Sequence, residues 1–156
     1  MTHPVTGARF LEVPVKNAVK NKSEAVKTLN RALAWELRTA IMYSHFAAYL
    51  TGRDRLDYEE HFLGEWKESM DHAQKVRQII ADIGGAATTT PDPRPIPTPR
   101  DADKMLREAL KAEEEAEACY RDAMQHFEHM TFWHHDLRHI MMAEEEAQVE
   151  IRRWLK

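Results

Sequence analysis

Glu36, His72, Glu113 and Glu144 each interrupt an apolar stripe that otherwise repeats every three or four residues. The clearest interruption runs through Tyr58, Phe62, Glu65, Ser69, His72, Val76, Ile79 and Ile83, which share one face at 3.6 residues per turn. Burying an unpaired carboxylate is costly, and an unsatisfied polar group costs about 1–3 kcal/mol, so these side chains need partners on neighbouring helices or a bound ion. Carboxylate oxygen and imidazole nitrogen together suit hard or borderline divalent metals. The competing reading is a hydrogen-bonded polar layer that fixes helix register.

The elements that must hold such groups are helices. Ser23 is the expected N-cap of a first long helix, on which Leu29, Leu33, Glu36, Ala40, Tyr43, Ala47 and Leu50 recur before Gly52. A second is expected to begin near Asp54 to Asp57 and to end at Gly84-Gly85, where glycine accepts the left-handed cap. The short turn between them predicts antiparallel packing. Residues 86–100 hold five of the seven prolines, Pro91, Pro93, Pro95, Pro97 and Pro99, which excludes helix and central strand. At about 3 Å per residue this segment spans roughly 40 Å, the length of a long helix, and reads as a crossover. Asp101 or Asp103 should cap a third helix lined by Leu106, Leu110, Glu113, Glu117, Tyr120, Met124 and Phe127. A fourth starts around Thr131 and carries Leu137, Met141, Glu144, Gln148, Ile151 and Leu155. The prediction is an all-α four-helix bundle over residues 23–156: an up-down pair, a long Pro-rich crossover and a second up-down pair. Residues 1–22 read as a basic extension, in which Arg9, Lys16, Lys20 and Lys22 outnumber Glu12, leaving open a solvated tail or a contact to DNA.

Composition narrows the class further. A chain of 156 residues, 43% hydrophobic and 31% charged with only five glycines, suits one helical domain with a real core. No apolar run resembles a signal peptide or a membrane span, so the expected location is the cytoplasm. Cys119 is the single cysteine, which excludes an internal disulfide and an all-thiolate metal site. The net charge of −4 argues against general nucleic-acid binding.

From about Ser23 to the C terminus the chain resembles the ferritin-like superfamily, most closely the bacterioferritins. The resemblance is carried by LNRALAWELRTAIMY around Glu36 and Tyr43, SMDHAQKVRQIIADIGG around His72, and MLREALKAEEEAEACYRDA around Glu113. In that family a glutamate on the first helix, Glu-x-x-His on the second, a glutamate on the third and Glu-x-x-His on the fourth hold two iron ions. The resemblance implies that Glu36, His72 and Glu113 are metal ligands and that Tyr43 is the tyrosine beside the centre. Two departures stand out. Ser69 occupies the place of the bridging glutamate, and no histidine follows Glu144 or Glu145 by three residues. Gap-free spacing matches Glu145 and Gln148 to the fourth-helix motif, whereas the apolar seam selects Glu144 and Gln148. Glu36, His72 and Glu144 would make a site for one iron, with Glu65 or Glu68 reaching in for the missing bridge, or part of a weak two-iron set with Glu113.

The implied function is iron binding, with storage or detoxification through Fe(II) oxidation at an incomplete ferroxidase centre. Met70 lies opposite His72 on a helical wheel and matches the position from which bacterioferritins ligate haem between subunits; an exposed methionine in a dimer interface is the alternative. His126, His129, His134, His135 and His139 cluster at the third turn, and His135 with His139 has chelating spacing, although a solvated helix end fits equally. The sequence stops at Lys156 without a fifth helix, so the expected homo-oligomer is a dimer or 12-mer as readily as a larger cage. A haem-carrying or structural subunit and a DNA-protecting protein are the alternatives.

Overall fold

In the computed structural model, which describes residues 18–155, the first helix starts earlier than Ser23. Asn21 is the N-cap of α1 (Lys22–Tyr49), its side chain accepting from the Glu24 amide at 3.2 Å. Asparagine caps as well as serine and lies two residues upstream, so the helix gains half a turn. The expected basic segment falls, as far as residue 17, outside the described residues.

Helix α2 (Gly52–Asp82) also begins earlier than expected, because Thr51 is its N-cap and Gly52, at φ 58°, turns the chain within two residues of α1. At its far end Gly84 adopts φ 78°, the left-handed conformation anticipated there. Gly85 is required for space: a Cβ would lie 2.5 Å from Val26 Cγ2. Asp101 caps α3 (Ala102–Met124) by accepting from the Lys104 amide at 3.0 Å. Thr131 caps α4 (Phe132–Trp154), accepting from His134 at 3.2 Å. No helix of the described residues is long and apolar enough to cross a membrane.

The proline-rich crossover lies along α1. Proline removes donors but leaves carbonyls that still need partners. Asn30 therefore donates to Ala86 O and accepts from the Thr88 amide, both at 2.8 Å. One and two turns further along, Ala34 O accepts from the Asp92 amide and the Arg38 guanidinium bonds Arg94 O and Pro95 O at 3.1 and 2.6 Å. The Trp35 indole donates to Ala112 O at 2.9 Å, while Arg38 and Arg94 cover its ring at 4.5 and 4.2 Å. The crossover is thus tied to both α1 and α3.

Two antiparallel hairpins, α1–α2 and α3–α4, pack chiefly through α1 against α3, and α2 and α4 touch only sparsely. Antiparallel pairing of α1 and α3 follows from the segment before α1, where the Lys20 amide donates to His126 O and the Glu128 amide to Ala18 O. The core holds Leu29, Leu33, Tyr43, Phe46, Phe62, Ile79, Ile80, Leu106 and Tyr120. Each such side chain contributes about 1.5–3 kcal/mol on burial. On α3 the buried face is richer in small residues than the expected stripe, with Ala109, Ala112, Ala116, Cys119 and Ala123 inside and Leu110, Glu117 and Met124 only half-buried.

Candidate metal centre

A repeated spacing on the two central helices builds the frame of the site. Glu36 and Tyr43 on α1 are seven residues apart, and so are Glu113 and Tyr120 on α3. Because the helices are antiparallel, each tyrosine meets the glutamate of the other. The Tyr120 hydroxyl donates to Glu36 Oε1 at 2.5 Å, and the Tyr43 hydroxyl donates to Glu113 Oε1. All four side chains are buried. Burial, with the facing carboxylates, raises both phenols well above their ordinary range and holds them as donors.

The outer helices bring one group each. His72 of α2 places Nδ1 2.8 Å from Glu144 Oε1 of α4 and 3.3 Å from Glu36 Oε1. Glu144 Oε1 is buried, and its close neighbour is the His72 imidazole at 2.8 Å, an ion pair when that ring is protonated. Ligand atoms of Glu36, His72 and Glu144 all lie within 4.8 Å of one another. A nitrogen and two carboxylates converging from three helices form a donor set that suits a divalent cation. Two acids from two other helices therefore share one imidazole. Burial, then the charges of Glu113 and Glu36, pushes Glu144 well above the usual carboxylate range. Burial also raises Glu113, against opposing hydrogen bonds from Glu144 and Tyr43. For His72, burial works downward, but the bond and charge of Glu36 and the charges of Glu68 and Glu113 outweigh it, leaving the imidazole raised. Burial, then Glu113, Glu68, Glu150 and Glu36, drives Glu65 up to about 9.

The remaining candidates divide. Glu68 sits at the rim, its side chain 43% exposed and Oε1 3.7 Å from His72 Nε2. Gln148 is buried but does not face the cluster: its amide donates to Glu117 Oε2 at 2.8 Å and Glu113 O at 3.4 Å, and its oxygen accepts from Arg152. The expected ligand Gln148 is thus engaged by Glu117 and Arg152, the partners its amide has in this structure. Glu145 turns to Arg121 at 3.6 Å, leaving Glu144 as the buried member of the pair. Ala147, three residues after Glu144, and Ser69, three residues before His72, are both buried. Met70 is exposed on the far side of α2, away from His72.

Tyr120 lies on the seam of α3, and the Glu-x6-Tyr spacing repeated on α1 and α3 is the sequence signal for its role. Four of the five histidines at the third turn form two pairs. The His129 and His134 rings lie 4.6 Å apart at 58° to each other, while His135 and His139 stack at 6.4 Å on the exposed face of α4.

The family model described as Ferritin-like domain matches residues 26–156. No curated protein matches the chain. Among solved structures, a ferritin-like diiron-carboxylate protein from Bacillus anthracis str. Ames superposes with a TM-score of 0.80 at 27% identity, covering 86% of this chain and 97% of the other. The dodecameric thioferritin of Bacteroides fragilis, a bacterioferritin-related protein, has the same fold, with a TM-score of 0.80 at 21% identity over 90% of this chain and 89% of its own.

Proposed function

This chain belongs to the ferritin family, and we propose that it binds Fe(II) as a substrate at Glu36, His72 and Glu144 and serves in iron storage or detoxification. The observation that carries the reading is the convergence of ligand atoms of those three residues, from three helices, within 4.8 Å of one another. Tyr120 anchors Glu36 through Oε1. His72 supplies the nitrogen through Nδ1, and Glu144 supplies a second carboxylate from the opposite hairpin. Glu113, held by Tyr43, stands beside Glu144 for a second ion. Because Ser69 and Ala147 replace a carboxylate and an imidazole, that second position is weaker, which favours one tightly held ion over a matched pair. Bound Fe(II) would supply an electron to an oxidant such as oxygen or peroxide.

The bundle of residues 23–156 carries this activity, with residues 1–22 as an extension. The dodecameric assembly of the Bacteroides fragilis protein supports a homo-oligomeric shell here. Light scattering tests that part, and a monomer at micromolar concentration would remove it.

The test of function is aerobic loading with Fe(II), desalting and measurement of iron per chain. Iron far beyond the ligand set would establish mineral storage. One or two ions, lost in Glu36→Ala and His72→Ala, would establish a discrete centre without storage. No retained iron would leave the cluster as a structural polar layer.

A further inference from the structure

Sparse contact between α2 and α4 leaves a cleft of about 380 Å³, lined by Asp71, His72, Lys75, His135, Asp136, His139 and Ile140. His72 is both a wall of this cleft and a member of the buried cluster, with its side chain still 12% exposed. The cleft therefore opens from solvent directly onto a candidate ligand. At its mouth His135 and His139 are one helical turn apart on α4, their rings stacked 6.4 Å centroid to centroid with 25° between planes. Two histidines at this spacing on one helix face can chelate a transition metal. The His135 side chain is 77% exposed, and Asp136 adds a carboxylate 3.8 Å from His135 Nδ1. The cleft already holds one cation, since Lys75 Nζ lies 3.5 Å from Asp136 Oδ2.

We infer that His135 and His139, with Asp136 beside His135, form a second site for a divalent transition-metal ion, from which the ion passes along the cleft to His72. Delivery rests on the iron-binding reading above; chelation at the mouth does not. Exposed imidazoles hold the ion loosely enough to release it, and the acid beside them attracts it. Lys75 competes with the ion for Asp136, so its removal strengthens the site.

Co(II) alone is the probe for binding, followed by isothermal titration and the visible spectrum of the full-length protein. The expected result is one Co(II) per chain lost in His135→Ala/His139→Ala and kept in Glu36→Gln/Glu144→Gln, with at least threefold tighter binding at this site in Lys75→Gln. Stopped-flow loading with less than one Fe(II) per chain should be at least threefold slower in His135→Ala/His139→Ala, with the final iron content unchanged. Equal Co(II) counts in wild type and the histidine variant, or equal loading rates, would overturn the inference. Loss of Co(II) in the histidine variant with none lost in Glu36→Gln/Glu144→Gln would keep the chelate while overturning both the buried centre and delivery to it.

Discussion

Replacing Glu65 with glutamine should flatten the pH dependence of stability of the metal-free protein. Glu65 lies on the inner side of α2, its side chain only 14% exposed. Burial, then the carboxylates Glu113, Glu68, Glu150 and Glu36, raises it from 4.5 to about 9. In the unfolded chain the same group ionises near 4.5. Since the folded value is the higher one, the stability from Glu65 is fully present below pH 4.5 and is lost as pH rises towards 9. Inside that window the folded protein holds a proton that the unfolded chain has released, so stability falls by up to about 1.4 kcal/mol per pH unit. From pH 6 to 8 this is roughly 3 kcal/mol, or about 5–11 °C in Tm for a chain of this length. Glutamine fills nearly the same volume and cannot ionise. Thermal melts of the apo protein by circular dichroism between pH 5 and 9 provide the assay. The wild type should lose Tm steeply across this range and Glu65→Gln much less, retaining the slope due to His72, Glu113 and Glu144. Parallel curves for the two proteins would refute the reasoning, showing that Glu65 ionises inside the fold as freely as outside it.

Three further outcomes follow from the same geometry. Tyr120→Phe removes the donor to Glu36 and should cost about 1.5–3 kcal/mol in urea unfolding, as expected of a hydrogen bond to a charged group, while weakening Co(II) binding at the buried centre. Burial pushes the Cys119 thiol up to about 12, so a disulfide reagent at pH 8 should leave it untouched in the native protein and titrate one thiol in guanidinium. Ser69→Glu/Ala147→His restores a carboxylate and an imidazole at the two weakened positions and should raise tightly bound Fe(II) from one to two ions per chain, read by anaerobic titration; an unchanged count would place the deficiency elsewhere.

Much of the site was legible because periodicity makes polar intruders conspicuous. Glu36, His72, Glu113 and Glu144 stand out on apolar stripes, and the choice of Glu144 over Glu145 follows from the same stripe. The helix starts were less legible: Asn21 and Thr51 precede Ser23 and Asp54 by only a few residues, and capping preferences among these types differ little. The expected α3 seam runs through large side chains, yet the helix buries a row of alanines. Alanine suits core and surface alike, so its placement depends on how closely α1 and α4 approach.

The sequence by itself determined the helical class, the crossover and the level along each helix at which polar groups enter the core. These follow from local rules: the 3.6-residue repeat, the prolines between residues 91 and 99, and the glycine stop at Gly84. The tertiary structure decided which groups meet. Antiparallel packing of α1 on α3 crosses the two Glu-Tyr pairs, so that each phenol holds the other helix's carboxylate. The approach of α4 brings Glu144 against His72, and Glu117 and Arg152 engage Gln148. Side-chain direction within a shared face depends on competition among partners from several helices, and those partners are far apart in the chain.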